Sequence, residues 1–107
     1  MSAWLLLLAA IATEVVGTVA LRVSDGFSRP LPAAVVVVMY GLSFWLLALV
    51  LQRFAIGTAY AVWAGLGTAT IAAVGVLAWD EPVNALKLAS LALVIAGVVG
   101  LELAGSS

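Results

Sequence analysis

Glu14 is an acidic side chain set deep in a run of apolar residues, 3–21, and the nearest charged residue along the chain, Arg22, stands about two helical turns away. Placing an acidic group at the centre of a membrane costs roughly 2.5–3.5 kcal/mol on insertion scales. Such groups mostly face a bundle interior or a water-filled cavity, where they bind ions or relay protons. A carboxyl withdrawn from water favours its protonated form, so it can hold a proton and give it up when a cation arrives. That is the chemistry of an exchange site, in which cation binding releases protons and weakens as pH falls. Two other readings of Glu14 stand beside it: a permanently protonated acid bonded to a neighbouring helix, or a partner of Arg22.

The remaining chemistry is sparse. The chain has no cysteine and no histidine, which leaves five carboxylates, two tyrosines and four cationic side chains to move protons or hold ions. Thiolate chemistry and the usual metal sites are excluded, and the sequence implies neither a metal nor a cofactor. At helical spacing Ala10, Gly17 and Thr18 share the face of Glu14, and their small side chains fit either a cavity or a close helix crossing. Tyr40 and Ser43 share a face further on, as do Tyr60 and Trp63, with Gly67 a turn beyond Trp63. Aromatic faces attract organic cations by roughly 0.5–2 kcal/mol per well-placed ring without demanding one substrate shape. Each ring taken singly also fits plain packing or interfacial anchoring. Ser90, Gly97 and Ala104 recur about every two turns, a stripe that suits close helix contact, either within the chain or with a second copy needed to enclose a pathway.

These residues must be positioned by membrane-spanning helices. Of 107 residues, 66% are hydrophobic and 8% charged, against roughly a quarter charged in soluble domains. A bilayer core of about 30 Å takes about 20 residues per helical span. Charges and turn residues mark four apolar blocks, 3–21, 32–51, 57–79 and 86–104, which predict an all-α integral membrane protein of four transmembrane helices in a single domain, 1–107. An open sheet is excluded, because hydrocarbon leaves its edge groups unsatisfied, and the alternation of a barrel is missing. The first block lacks a basic leader and contains Glu14, so it reads as a retained span. Short connections make sequential helices antiparallel neighbours. Arg22, Arg29 and Lys87 fall on one side and Arg53 on the other, a charge bias weak enough to permit insertion both ways round or a fixed orientation beside a paralogous partner. Trp4, Trp45 and Trp79 lie toward block ends as interfacial anchors. Asp80, Glu81 and Glu102 read as solvated boundary residues. A net charge of −1 offers no surface for nucleic acid, and no segment is polar enough for a soluble catalytic domain, so an enzyme is not expected.

The chain resembles the small multidrug resistance transporters over essentially its whole length. The matching stretches are Glu14-Val15-Val16-Gly17-Thr18, Asp25-Gly26-Phe27-Ser28-Arg29, Tyr40 with Ser43-Phe44-Trp45, Gly57-Thr58-Ala59-Tyr60-Ala61-Val62-Trp63-Ala64-Gly65, and Ala96-Gly97-Val98. The resemblance implies an antiparallel homodimer in the cytoplasmic (inner) membrane that exchanges protons for lipophilic cationic small molecules by alternating access. It implies Glu14 as the shared proton and substrate carboxylate, one from each subunit. It also implies a lining from Tyr40, Tyr60 and Trp63, a bend of the third helix at Gly65 and Gly67, and a dimer contact around Gly97, with Ser90 where glycine is common.

Gly17 and Tyr40 look like the broad-specificity drug branch, whereas Glu81-Pro82-Val83-Asn84-Ala85-Leu86-Lys87 looks like the guanidinium branch. The first pair belongs to the expected pocket, so the leading expectation is export of quaternary ammonium drugs. Guanidinium export is the competing transporter reading. A non-transporting membrane adapter, with Glu14 as an assembly contact, is the alternative from another class. No phosphate-binding loop is present, so the proton gradient would supply the energy.

Overall fold

The computed structural model describes residues 2–104. It contains four helices in chain order: α1 (Ala3–Val23), α2 (Pro30–Val50), α3 (Ile56–Trp79) and α4 (Ala85–Leu103). All four are long and apolar enough to cross a membrane, as the block pattern predicts. Their ends depart from the predicted blocks by at most about two residues, the usual latitude of fraying termini. The largest departures are where α1 runs on through Arg22 to Val23 and α2 starts at Pro30.

Local chemistry fixes these ends. Ser2 caps α1, its side chain accepting from the Leu5 N–H at 3.2 Å, and Asn84 caps α4 by accepting from Lys87 N–H at 2.8 Å. Pro30 opens α2, where a missing N–H leaves no helical bond unmade. The link from α1 to α2 turns on Asp25, Gly26 and Phe27, all with positive φ. Ser24, fully buried, ties this link together: its hydroxyl donates to the Leu21 carbonyl at 2.7 Å and accepts from the Phe27 N–H at 3.1 Å. α3 stops where Asp80 takes the left-handed conformation, and the Glu81 N–H returns to the Gly75 carbonyl at 3.2 Å.

The chain divides into two helical hairpins, α1 with α2 and α3 with α4, parting between Arg53 and Phe54. In the first, Leu7, Ala10, Ile11, Val15 and Ala20 of α1 are buried, as are Val36, Ser43, Leu47 and Val50 of α2. In the second, Ala59 and Val62 of α3 are buried, while α4 has no buried residue among those described. Large apolar side chains point outward throughout, Leu31, Val37, Leu77, Leu93 and Leu103 among them. In water so much exposed apolar surface would drive aggregation; in a bilayer it is the wetted surface, which makes this a multi-pass membrane protein.

Candidate functional site

Glu14 lies near the middle of α1 and is half-buried. Its Oε1 accepts a hydrogen bond from the Thr18 hydroxyl at 2.9 Å, one turn along the same helix face. Thr18 Oγ1 is in turn 2.7 Å from Tyr40 Oη on α2, a short hydroxyl–hydroxyl contact that ties the two helices together. A threonine within a helix commonly returns its hydroxyl to a carbonyl one turn back. Thr13 does so, donating to Ala9 O at 2.9 Å, as does Thr70, donating to Leu66 O at 2.7 Å. Thr18 donates its hydrogen bond to the carboxylate instead.

Gly17 makes this chain possible. It is buried beneath the Tyr40 ring, and a Cβ there would stand 2.7 Å from Cδ1 and 2.8 Å from Cε1 of that ring. Only a residue without a side chain lets the ring lie across α1 and bring its hydroxyl to Thr18, the next residue. Ala10 and Ser43 form a second tie. Both are inaccessible to solvent or nearly so, at 0% and 1% exposure, and the Ser43 hydroxyl donates to the Ala10 carbonyl at 2.7 Å. Of the two roles open to the small residues near Glu14, Ala10 and Gly17 serve the helix crossing. Thr18 serves the carboxylate, and Ser43 spends its hydroxyl on α1.

In the second hairpin Tyr60 and Trp63 stand edge to face, ring centroids 5.5 Å apart and planes at 78°. Tyr60 is 59% exposed and Trp63 is half-buried. Gly65 and Gly67 are buried on an uninterrupted α3, and Gly65 faces Val94 and Val98 of α4, so closely that a Cβ would collide with Val98. Ser90 and Gly97 are exposed, and a Cβ on Gly97 would meet nothing within 4 Å.

Sequence reasoning missed the partners of the small residues. Met39 flanks Gly17 beside Tyr40, and Val94 and Val98 face Gly65; periodicity names a face but not what lies opposite it. Of the boundary carboxylates, Glu81 keeps a side chain 42% exposed, as expected, and Glu102 is more enclosed than expected. Glu81 is half-buried against Gly75 with its carboxylate 3.8 Å from Lys87 Nζ, because the left-handed turn at Asp80 folds it back on α3. Glu102 is half-buried with Oε2 enclosed and without a hydrogen-bond partner among the described residues.

These features define a small four-helix membrane protein with a carboxylate inside its first span that accepts a hydrogen bond from the Thr18 hydroxyl. The chain belongs to the small multidrug resistance family: residues 2–94 match the model of the Small Multidrug Resistance protein. It is 43% identical to the quaternary ammonium compound-resistance protein QacE of Escherichia coli, over 96% of this chain and 94% of that one. It is 45% identical to the multidrug resistance protein EbrB of Bacillus licheniformis, over 92% of this chain and 82% of that one. A guanidinium exporter of Escherichia coli is 41% identical, over 94% of this chain and 95% of that one.

Proposed function

We propose that this protein is a proton-coupled antiporter that exports lipophilic cations of the quaternary ammonium type across the inner membrane. The observation that carries the reading is Glu14, a carboxylate in mid-span held by Thr18 and, through it, by Tyr40. A fixed, partly dry carboxylate binds either a proton or an organic cation, and that mutual exclusion couples the two fluxes when the site opens alternately to the two sides. The exposed Tyr60 beside Trp63 suits a bulky cation, and the resistance proteins among the relatives point to the same substrate class. The transporting unit is an antiparallel homodimer with one Glu14 from each copy. The uncovered Ser90 and Gly97 of α4 support a second copy at that face.

The test is proton release from detergent-solubilised protein on adding tetraphenylphosphonium, with wild type compared with Glu14→Gln. Release in the wild type that vanishes in the variant is expected, together with binding that weakens as pH is lowered. Guanidinium export is the second reading, favoured by the guanidinium exporter among the relatives. Proton release with guanidinium and none with tetraphenylphosphonium would select it. Silence with both cations would leave the membrane adapter.

A further inference from the structure

We propose that Thr18 is a positioning residue through which the charge on Glu14 sets the direction of the Tyr40 hydroxyl, so that Tyr40 offers a lone pair to a cation only when Glu14 is ionised. The inference rests on the reading of Glu14 as the exchange site and adds the means by which a neighbouring group senses its charge.

The argument is proton counting. A hydroxyl has one hydrogen to donate and lone pairs to accept with, and an ionised carboxylate can only accept. With Glu14 ionised, the Thr18 hydrogen is committed to Oε1 at 2.9 Å. The 2.7 Å contact to Tyr40 must then be made with the tyrosine hydrogen, so Tyr40 donates to Thr18 and turns its free lone pair away from it. When hydronium protonates Glu14 at Oε1 and leaves as water, the new carboxyl O–H is the strongest donor of the three and donates a hydrogen bond to Thr18 Oγ1. Thr18 then turns its own hydrogen toward Tyr40 Oη, and the tyrosine hydrogen swings outward. One O–H bond has formed, at the carboxyl, and the two hydroxyls have kept their hydrogens and rotated. The outward end of Tyr40 changes from negative to positive, and the protonated site disfavours a cation twice over, through the lost carboxylate charge and through the reversed phenol.

Within the hairpin that carries it, the chain has few charged neighbours. α2 carries no charged residue, and Tyr40 is its one titratable side chain. On α1 the other charged residue is Arg22, in the last turn. The Tyr40 ring is pinned over Gly17, so its hydroxyl stays within reach of Thr18 and can answer by rotating in place.

The experiment reads the tyrosine Fermi doublet by ultraviolet resonance Raman scattering, whose intensity ratio reports whether a phenol donates or accepts. The chain has two tyrosines, so a Tyr60→Phe background leaves Tyr40 alone in the spectrum. The expected result is a change from donor to acceptor pattern as pH falls, with the midpoint of proton uptake. Glu14→Gln and Thr18→Val each abolish the change, and Thr18→Ser restores it. In tetraphenylphosphonium binding at alkaline pH, Thr18→Val and Tyr40→Phe each weaken affinity several-fold, and the double variant is no weaker than the worse single. A Tyr40 spectrum independent of pH, or losses that multiply in the double variant, overturns the relay while leaving Glu14 as the exchange site. Proton release that survives in Glu14→Gln overturns the exchange site, and the relay with it.

Discussion

The ring of Tyr40 lies over Gly17 with no room for a methyl group between them: a Cβ on residue 17 would be 2.7 Å from Cδ1 of the ring and 3.3 Å from Met39 Cβ. The Gly17→Ala variant must therefore push the ring off α1, lengthening the contact between Tyr40 and Thr18. Overpacking of this kind costs about 1–3 kcal/mol. We expect Gly17→Ala to melt earlier in detergent, followed by circular dichroism, and to lose cation affinity. An unchanged melting temperature with full affinity would show that the ring is free to move.

Ser43 makes a different prediction, because its hydroxyl is buried and committed to the Ala10 carbonyl at 2.7 Å. Ser43→Ala removes the donor, and Ala10 O keeps its α-helical bond from the Glu14 N–H, so no carbonyl is stranded. The expected loss is about 0.5–1.5 kcal/mol of stability. Tetraphenylphosphonium affinity should stay within about twofold, or roughly 0.4 kcal/mol. A larger drop in affinity measured by calorimetry would place Ser43 in direct contact with the substrate.

The contact between α3 and α4 is tested at Gly65. Gly65→Ala drives a methyl group into Val98, with Val94 Cγ1 also only 3.4 Å away, and is expected to destabilise the hairpin by about 1–3 kcal/mol. Val98→Ala removes the obstructing methyls, so the double variant should unfold at a higher temperature than Gly65→Ala alone. Failure of that rescue would mean that Gly65 is needed for backbone freedom and not for space.

Tyr60 tests whether an aromatic face receives the cation. Tyr60→Phe keeps the ring beside Trp63 and should retain affinity, whereas Tyr60→Leu should weaken tetraphenylphosphonium binding roughly two- to thirtyfold, the worth of about 0.5–2 kcal/mol for one ring. Equal losses in the two variants would assign the effect to the phenol hydroxyl instead.

Much of the architecture was legible without coordinates because a bilayer enforces it locally. Each span must satisfy its own backbone hydrogen bonds, so length and hydropathy suffice to locate it, and turn residues such as Asp25-Gly26 mark the connections, although Pro30, read as part of a connection, opens α2. Glu14 stood out for the same reason, as an acid is expensive in hydrocarbon. Less legible were residues whose role depends on a partner. Ala10, Gly17 and Thr18 look alike as small residues on one face of α1. One receives a serine hydroxyl, one lies beneath a ring, and one bridges an acid to a phenol.

The sequence by itself determined the solvent, the four helices and the acid in mid-span, since these follow from transfer energies and hydrogen bonding within one segment. Only the tertiary structure decided which hydroxyl reaches Glu14, which glycine makes room for Tyr40 and which small residues of α4 stay uncovered. Those outcomes depend on how each helix is rotated about its axis against its hairpin partner, and that rotation is set by side chains interlocking across the crossing, among them Gly17 under Tyr40 and Gly65 under Val98.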